Sequence, residues 1–397
     1  MGETAARTNL PLQLTSFVGR EAELEGLHGL LRESRLVTVA GVSGMGKTRL
    51  AIELGERLLP TFPGGCWFVA LASLNDPALI PQTVAEAIGT HDEDLPSLLR
   101  SLSGYFTSGP GLLILDNCEH VIDSSARLVE SALRASPALS ILATSHEPLR
   151  VPGEAVWRIA GLATPATKAG ASATEAVRLF AARAALGRPS FSLSPARLET
   201  VTGICRSLDG IPLAIELAAA RVEMMSVEDI LERLTDSLRL LTGGSRTGLS
   251  RHQTLRAALD WGHHLLDQPE QVVFRRLAVM SGGFDVAAAE AVCGDRSAGL
   301  VAAGDVVAEL TRLVDKSLVA PEPETGGPTR YRMLETVRQY AAERLLESGE
   351  ADQARFRHAQ HFVALAELAE KSEFSAAQAT WLDRLETDHG NLRATLE

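Results

Sequence analysis

The residues best suited to chemistry in this chain are Gly41-Val42-Ser43-Gly44-Met45-Gly46-Lys47-Thr48, which match the phosphate-loop (Walker A) pattern GxxxxGK[ST] at every required position. Gly41, Gly44 and Gly46 let the backbone curl so that successive N–H groups point inward. A helix beginning there adds partial positive charge where phosphates would sit. Lys47 is placed to reach the β- and γ-phosphates, and Thr48 to give its hydroxyl to Mg2+. A second stretch, Leu112-Leu113-Ile114-Leu115-Asp116-Asn117, has the Walker B form of an apolar run ending in an acid. Asp116 would hold the Mg2+ shell from the side opposite Thr48. A third, Leu139 to Thr144, ends in Ser145-His146-Glu147-Pro148, polar groups that would face the γ-phosphate.

Such residues need a parallel sheet to bring them to one edge, and the flanking sequence supplies its elements. Leu36 to Ala40 reads as a buried strand and Thr48 to Leu59 as the helix that follows the loop. Cys66 to Leu71 reads as a second strand and Pro77 to Ile88 as a helix. A helix around Ser125 to Arg134 and a strand at Val156 to Ile159 extend the alternation. The Walker B run is apolar throughout because a central parallel strand is buried on both faces. The expected fold is an α/β P-loop NTPase domain with a parallel sheet of ASCE type over residues 17–165, after a loose lead-in at 1–16.

Pro165 to Gly170 reads as a linker. From about residue 172 alanine is abundant and helical spacing dominates, so an all-α domain is expected over 166–245. Within it Gly210-Ile211-Pro212 precedes a helix through Ala220, which by itself is an ordinary helix start. Gly243 to Gly248 is a second linker. Over 246–350 helices end in a small hairpin, Ser317 to Ala320 with Tyr331 to Met333, the pattern of a winged helix. Residues 351–397 read as two helices, one near Ala359 to Lys371 and one bearing Leu382, Leu385, Leu392 and Leu396. Their apolar face is still running at Glu397, which points to the start of a helical repeat array that continues further.

The 397-residue chain has 38 Lys+Arg against 50 Asp+Glu, a formal charge of −12 that argues against a general nucleic-acid or membrane-surface role. Its four cysteines show no CxxC pairing, which fits a reducing interior. No apolar run reaches the roughly 18 residues needed to span a bilayer, and Met1 to Asn9 has no signal-peptide apolar region. A cytoplasmic protein with no membrane partner is expected.

Walker A, Walker B, the Thr144-Ser145 strand end, Gly210-x-Pro212 and a winged helix, in this order, resemble the STAND class of signalling ATPases with an NB-ARC-type core. The similarity is greatest to actinobacterial regulators that join such a core to TPR-like helical repeats. Phe17-Val18-Gly19-Arg20-Glu21, Leu115-Asp116-Asn117-Cys118-Glu119-His120, Arg251-His252-Gln253-Thr254-Leu255 and Leu334-Glu335-Thr336-Val337-Arg338 look like that subgroup. The resemblance implies bound ATP or ADP with Mg2+. It places Val18, Gly19 and Arg20 near adenine and ribose, Pro212 over the base, and Arg49 and His146 beside the loop residues among the nucleotide contacts. It further implies slow hydrolysis, opening and self-association on ATP binding, and an activating ligand or protein at the repeats.

Three positions depart from the family pattern. Many relatives have a second acid after the Walker B Asp, whereas Asn117 cannot accept the proton of water, so turnover is slow or Glu119 substitutes. His146 stands where many have an arginine that senses the γ-phosphate, and Arg150 is the other candidate for that role. Met333-Leu334-Glu335 replaces a Met-His-Asp motif that holds ADP. Two rival readings differ in class. A P-loop phosphotransferase would need an acceptor site, which nothing between the motifs supplies. A winged-helix DNA-binding regulator using nucleotide structurally would need a basic recognition helix, but residues 286–314 set Arg296 and Arg312 beside Glu290, Asp295, Asp305 and Glu309.

Overall fold

After helix α1 (Glu21–Glu33), the apolar runs form β1 (Leu36–Ala40), β2 (Gly65–Ala70), β3 (Gly111–Asp116), β4 (Leu139–Ser145) and β5 (Glu154–Arg158) in the computed structural model. The structure describes residues 8–72, 74, 76–106, 109–164, 174–234, 255–295, 301–322, 328–370 and 378–396. Both linkers expected from the sequence, 165–170 and 243–248, lie outside them, as do Arg251 to Thr254. The chain divides into two compact units, Met1–Cys205 with Gly210–Glu223, and Arg206–Asp209 with Met224–Glu397.

In the first unit the five strands pair in parallel in the order β2-β3-β4-β1-β5. The Walker B strand is therefore separated from the phosphate-loop strand by β4, which is the ASCE arrangement. Register aligns their carboxyl ends: Ala40 pairs with Ser145, and Leu115 with Ala143. Successive side chains of a strand face opposite ways. On one face Leu113, Leu115, Ile141 and Ala143 pack with Val84 of α3 (Ile80–Ile88), Leu98 and Leu102 of α4 (Leu95–Tyr105), and Val129 of α5 (Ile122–Ala135). On the other, α2 (Lys47–Leu58) lies so close that a Cβ on Gly55 would sit 2.8 Å from Ile114. Covered on both faces, β1, β3 and β4 are buried at every residue.

Helix α4 is absent from the sequence reading, although its start is encoded locally: Asp94 and Ser97 form a reciprocal capping box. The lead-in is a correction. Thr8 pairs with Cys66 in a parallel bridge, and the Asn9 side chain both donates to the Phe68 carbonyl at 2.9 Å and accepts from its N–H at 2.6 Å. β2 is an edge strand whose open hydrogen-bonding groups recruit this segment. The unit also holds α6 (Glu175–Gly187), α7 (Pro195–Ser207) as far as Cys205, and α8 (Pro212–Ala220), with Phe180, Ile204, Ala214 and Ile215 buried.

In the second unit, helices at Gln268–Arg276, Val286–Cys293 and Val306–Asp315 accompany an antiparallel sheet ordered β6-β8-β7 (Phe284–Asp285, Ala320–Pro321 and Arg330–Arg332). The hairpin is present, but Leu318 and Val319 enter the core instead of the ladder, and β6 adds a strand of two residues, too short to read from periodicity. The helix Glu335–Ser348 ends at Gly349, whose φ of 73° gives the left-handed cap. Beyond it lie Ala351–Glu370, Gln378–Thr387 and His389–Ala394. The sequence suggested one terminal helix where there are two, broken at Asp388, which is nearly inaccessible and accepts from Arg330 at 2.7 Å. No helix among the described residues is long and apolar enough to cross a membrane.

Candidate functional site

The site forms where β1, β3 and β4 end together in the first unit. Past β1 the chain turns through Gly44 and Gly46, both at φ 84°, and Gly46 caps the N-terminus of α2. Gly41 has a different reason to be glycine: a Cβ there would lie 2.4 Å from the Ile159 side chain beyond β5. The Lys47 ammonium folds across its own loop, donating to the carbonyls of Gly41 at 2.5 Å and Val42 at 3.2 Å.

Thr48 and Asp116, apart in sequence, are joined by a 2.7 Å hydrogen bond from the threonine hydroxyl to Asp116 Oδ1. Thr144, at the end of β4, donates to the same oxygen at 2.6 Å and accepts from the Asn117 N–H at 3.0 Å. Burial raises the Asp116 carboxyl above its ordinary range, and the two hydroxyls partly offset this. A hydroxyl and a carboxylate side by side are the hard oxygen donors that suit Mg2+, so these residues fit that ion.

A second polar chain runs alongside. His146 Nε2 and Ser43 Oγ share a hydrogen bond at 2.9 Å, linking the end of β4 to the loop. The same nitrogen lies 3.5 Å from Glu119 Oε1. Asn117, in the left-handed region at φ 70°, donates its side-chain amide to that Glu119 oxygen. Glu119 is buried, and its Oε2 has no hydrogen-bond partner among the described residues. Lys47, Thr48, Asp116, Asn117, Glu119, His146 and Ser43 thus converge at the strand ends.

Other residues singled out from the sequence take different places. Arg20 is buried, and its guanidinium donates to the carbonyls of Met45 at 3.0 Å and Ala160 at 2.9 Å, which sets Arg20 beside the phosphate loop, with Val18 and Gly19 just before it in the chain. Arg49 turns instead to the carbonyls of Thr15 at 2.8 Å and Ser16 at 3.0 Å, and to Glu216 on α8 at 3.4 Å. Arg150 is exposed, and its backbone N–H bonds Glu154. Pro212 lies next to Gly46, while the Leu213 N–H donates to the Gly44 carbonyl at 3.2 Å. Gly210, at φ 67°, is pressed on Leu162, whose N–H bonds its carbonyl at 2.8 Å. The Gly-x-Pro turn is therefore both a helix start and a neighbour of the loop. Leu334 belongs to the second unit, where it precedes Glu335–Ser348. Glu175, which the sequence reading did not single out, accepts from the Arg20 N–H at 2.5 Å.

Fold and motifs together define an α/β domain of the P-loop NTPase class continued by a winged-helix domain. Residues 266–346 match the family described as a winged helix-turn-helix domain. The chain is 44% identical over 368 residues to Rv0890c of Mycobacterium tuberculosis, a protein named as an HTH-type transcriptional regulator, covering 93% of this chain and 40% of that one. It therefore spans less than half of that relative. It is 40% identical over 348 residues to Rv0894 of the same organism, an uncharacterized protein, covering 88% of this chain and 86% of that one. Among solved structures, the Walker-type ATPase PABY2304 of Pyrococcus abyssi has a TM-score of 0.56 at 13% identity, covering 84% of this chain and 99% of that one. The last is a likeness of fold. The chain belongs to the same family as Rv0894, most of which it covers.

Proposed function

We propose that this chain binds ATP and ADP with Mg2+ and works as a slow, nucleotide-dependent switch in transcriptional regulation. The observation that carries this reading is the 2.7 Å bond between Thr48 and Asp116, which sets the Walker A hydroxyl and the Walker B acid at one point. In this reading the loop amides and Lys47 hold the phosphates, and Thr48 and Asp116 hold the ion. An Mg2+ ion held there would supply positive charge to offset the charge on the phosphates. Glu119 takes the proton of the attacking water as the bond from the γ-phosphorus to the ADP oxygen breaks and ADP leaves with the electron pair. Asn117 fixes Glu119, and His146 reports the γ-phosphate to β4. Val18, Gly19, Arg20 and Pro212 frame the nucleoside.

Exchange of ADP for ATP is proposed to open the protein and permit self-association, which links the site to an output. A ligand shifts such an equilibrium only by its difference in affinity between the two states. Relatives named as transcriptional regulators support the output. Direct DNA reading by the winged helix is disfavoured. Helix Val306–Asp315 exposes Val307, Ala308 and Thr311, and its one basic side chain, Arg312, is bonded to Glu309 at 2.6 Å.

The decisive experiment is to denature freshly purified protein, identify released nucleotide by chromatography, and titrate nucleotide-free protein with ADP and ATP in the presence of Mg2+. Bound or titratable adenine nucleotide is expected. The absence of both release and binding would refute the reading. Small-angle scattering with ADP and with a non-hydrolysable ATP analogue tests the switch, and identical radii of gyration at confirmed occupancy would remove it.

A further inference from the structure

Gly19 and Arg20 are consecutive residues in the left-handed region, at φ 78° and 64°. That conformation is unfavourable for a side chain as large as arginine, so surrounding contacts must impose it. Two sets of contacts do so. The guanidinium of Arg20 is anchored to the carbonyls of Met45 and Ala160. The backbone N–H of Arg20 is taken by Glu175 Oε1 at 2.5 Å. Glu175 also fills the space above Gly19, where a Cβ would meet its carboxyl carbon at 2.7 Å. Its other oxygen lies 3.5 Å from the Ala163 N–H, and Ala176 donates to the Ala163 carbonyl at 3.2 Å, tying the start of α6 to the segment after β5.

We infer that Glu175 is a positioning residue for the nucleoside half of the site. It rests on the nucleotide-binding reading above and adds to it a residue outside every motif. One carboxylate on α6 fixes the direction of the Gly19-Arg20 backbone, and Arg20 in turn holds the Met45 carbonyl. The phosphate loop has supports of its own, from Gly41 N–H to Ser145 at 3.2 Å and from Leu213 N–H to Gly44 at 3.2 Å. Loss of the carboxylate therefore displaces the Val18 to Arg20 turn and leaves the phosphate cradle in place. The ligand part affected is base and ribose, not the phosphate chain.

The test compares ADP with inorganic tripolyphosphate, which has phosphates and no nucleoside, by calorimetric titration of the full chain in Mg2+. Glu175→Ala should weaken ADP binding about tenfold or more, the worth of a hydrogen bond to a charged group. Glu175→Gln keeps an acceptor oxygen and should lose less, while tripolyphosphate affinity stays within about twofold of wild type in both, since its contacts do not involve the turn. Should Glu175→Ala not fold, Glu175→Gln carries the comparison by itself. Equal losses for ADP and tripolyphosphate would overturn the inference, showing a structural effect on the whole site. So would unchanged ADP affinity in a variant of a wild type that binds ADP, and that result would leave the nucleotide reading intact. A wild type that binds neither ligand would remove both.

Discussion

Leu213 donates its backbone N–H to the carbonyl of Gly44 across 3.2 Å, so helix α8 begins on the phosphate loop itself. The contact is packed as well as bonded: a Cβ on Gly44 would sit 3.2 Å from the Leu213 side chain and 3.5 Å from that of Ile211. The phosphate loop thus bears directly on the helix started by Pro212. In the proposed switch this contact is the local route from nucleotide to the helices of the first unit.

Replacing Lys47 by alanine should abolish most nucleotide affinity, because the loop loses its mobile charge on the phosphates. The fold should survive, since the ammonium donates to the Gly41 and Val42 carbonyls of its own loop. Titration of Lys47→Ala with ATP checks this, and affinity within about threefold of wild type, under about 1 kcal/mol, would contradict the site.

Hydrolysis should depend on Glu119. Wild-type phosphate release should fall well below the roughly 1–100 s⁻¹ of kinases, and Glu119→Gln should reduce it by about 10²–10⁴-fold with ATP affinity nearly unchanged. Steady-state phosphate release, paired with binding, separates the two effects. A Glu119→Gln variant that hydrolyses ATP at the wild-type rate would exclude Glu119 as the proton acceptor.

Asn117→Asp, which restores the second acid of many relatives, should not raise the rate. The Asn117 amide donates to Glu119 in a buried setting. A carboxylate in its place would face another carboxylate and leave an acceptor without a donor, costing about 1–3 kcal/mol of stability. Denaturant unfolding and phosphate release of this variant measure both parts.

Thr144→Val removes the hydroxyl that donates to Asp116 and accepts from the Asn117 N–H. The shape is kept, but a buried N–H is left unpaired, and a loss of about 1–3 kcal/mol is expected. Mg2+-dependent nucleotide affinity should fall too, because Asp116 loses one of its two fixed donors. Unfolding curves with and without Mg2+-ADP give the two numbers.

In the second unit, Asp209 accepts from the N–H groups of Glu335 at 2.5 Å and Thr336 at 3.4 Å, capping that helix. Burial pushes its carboxyl up from 3.8 to about 6, against the pull of these bonds. Between those values the folded state binds more proton than the unfolded chain. The stabilising contribution is therefore full below the lower value and is lost as pH rises through the upper one. Wild type should lose stability relative to Asp209→Asn between about pH 4 and 7, read from unfolding midpoints across that range. A constant difference would show that Asp209 does not titrate there.

Much of the fold was legible because its signals are local. The loop pattern is a backbone requirement, and Gly44 and Gly46 adopt the positive φ that it demands. Apolar runs ending in Asp116 and Thr144 mark strands buried on both faces, and β3 and β4 are such strands. Gly349 closes its helix for the same kind of reason. What the sequence left open depends on which distant segments become neighbours. Arg49 follows the loop motif yet is drawn to Thr15, Ser16 and Glu216, because the lead-in packs there. The pairing of His146 with Ser43 and Glu119 exists only because β4 is inserted between β1 and β3. Glu175 carries no motif, and its hold on Arg20 across 155 residues is set by the docking of α6. Backbone conformation and burial period are written over a few residues, whereas a side chain's partner is fixed by sheet order and helix docking, to which no short stretch of sequence refers.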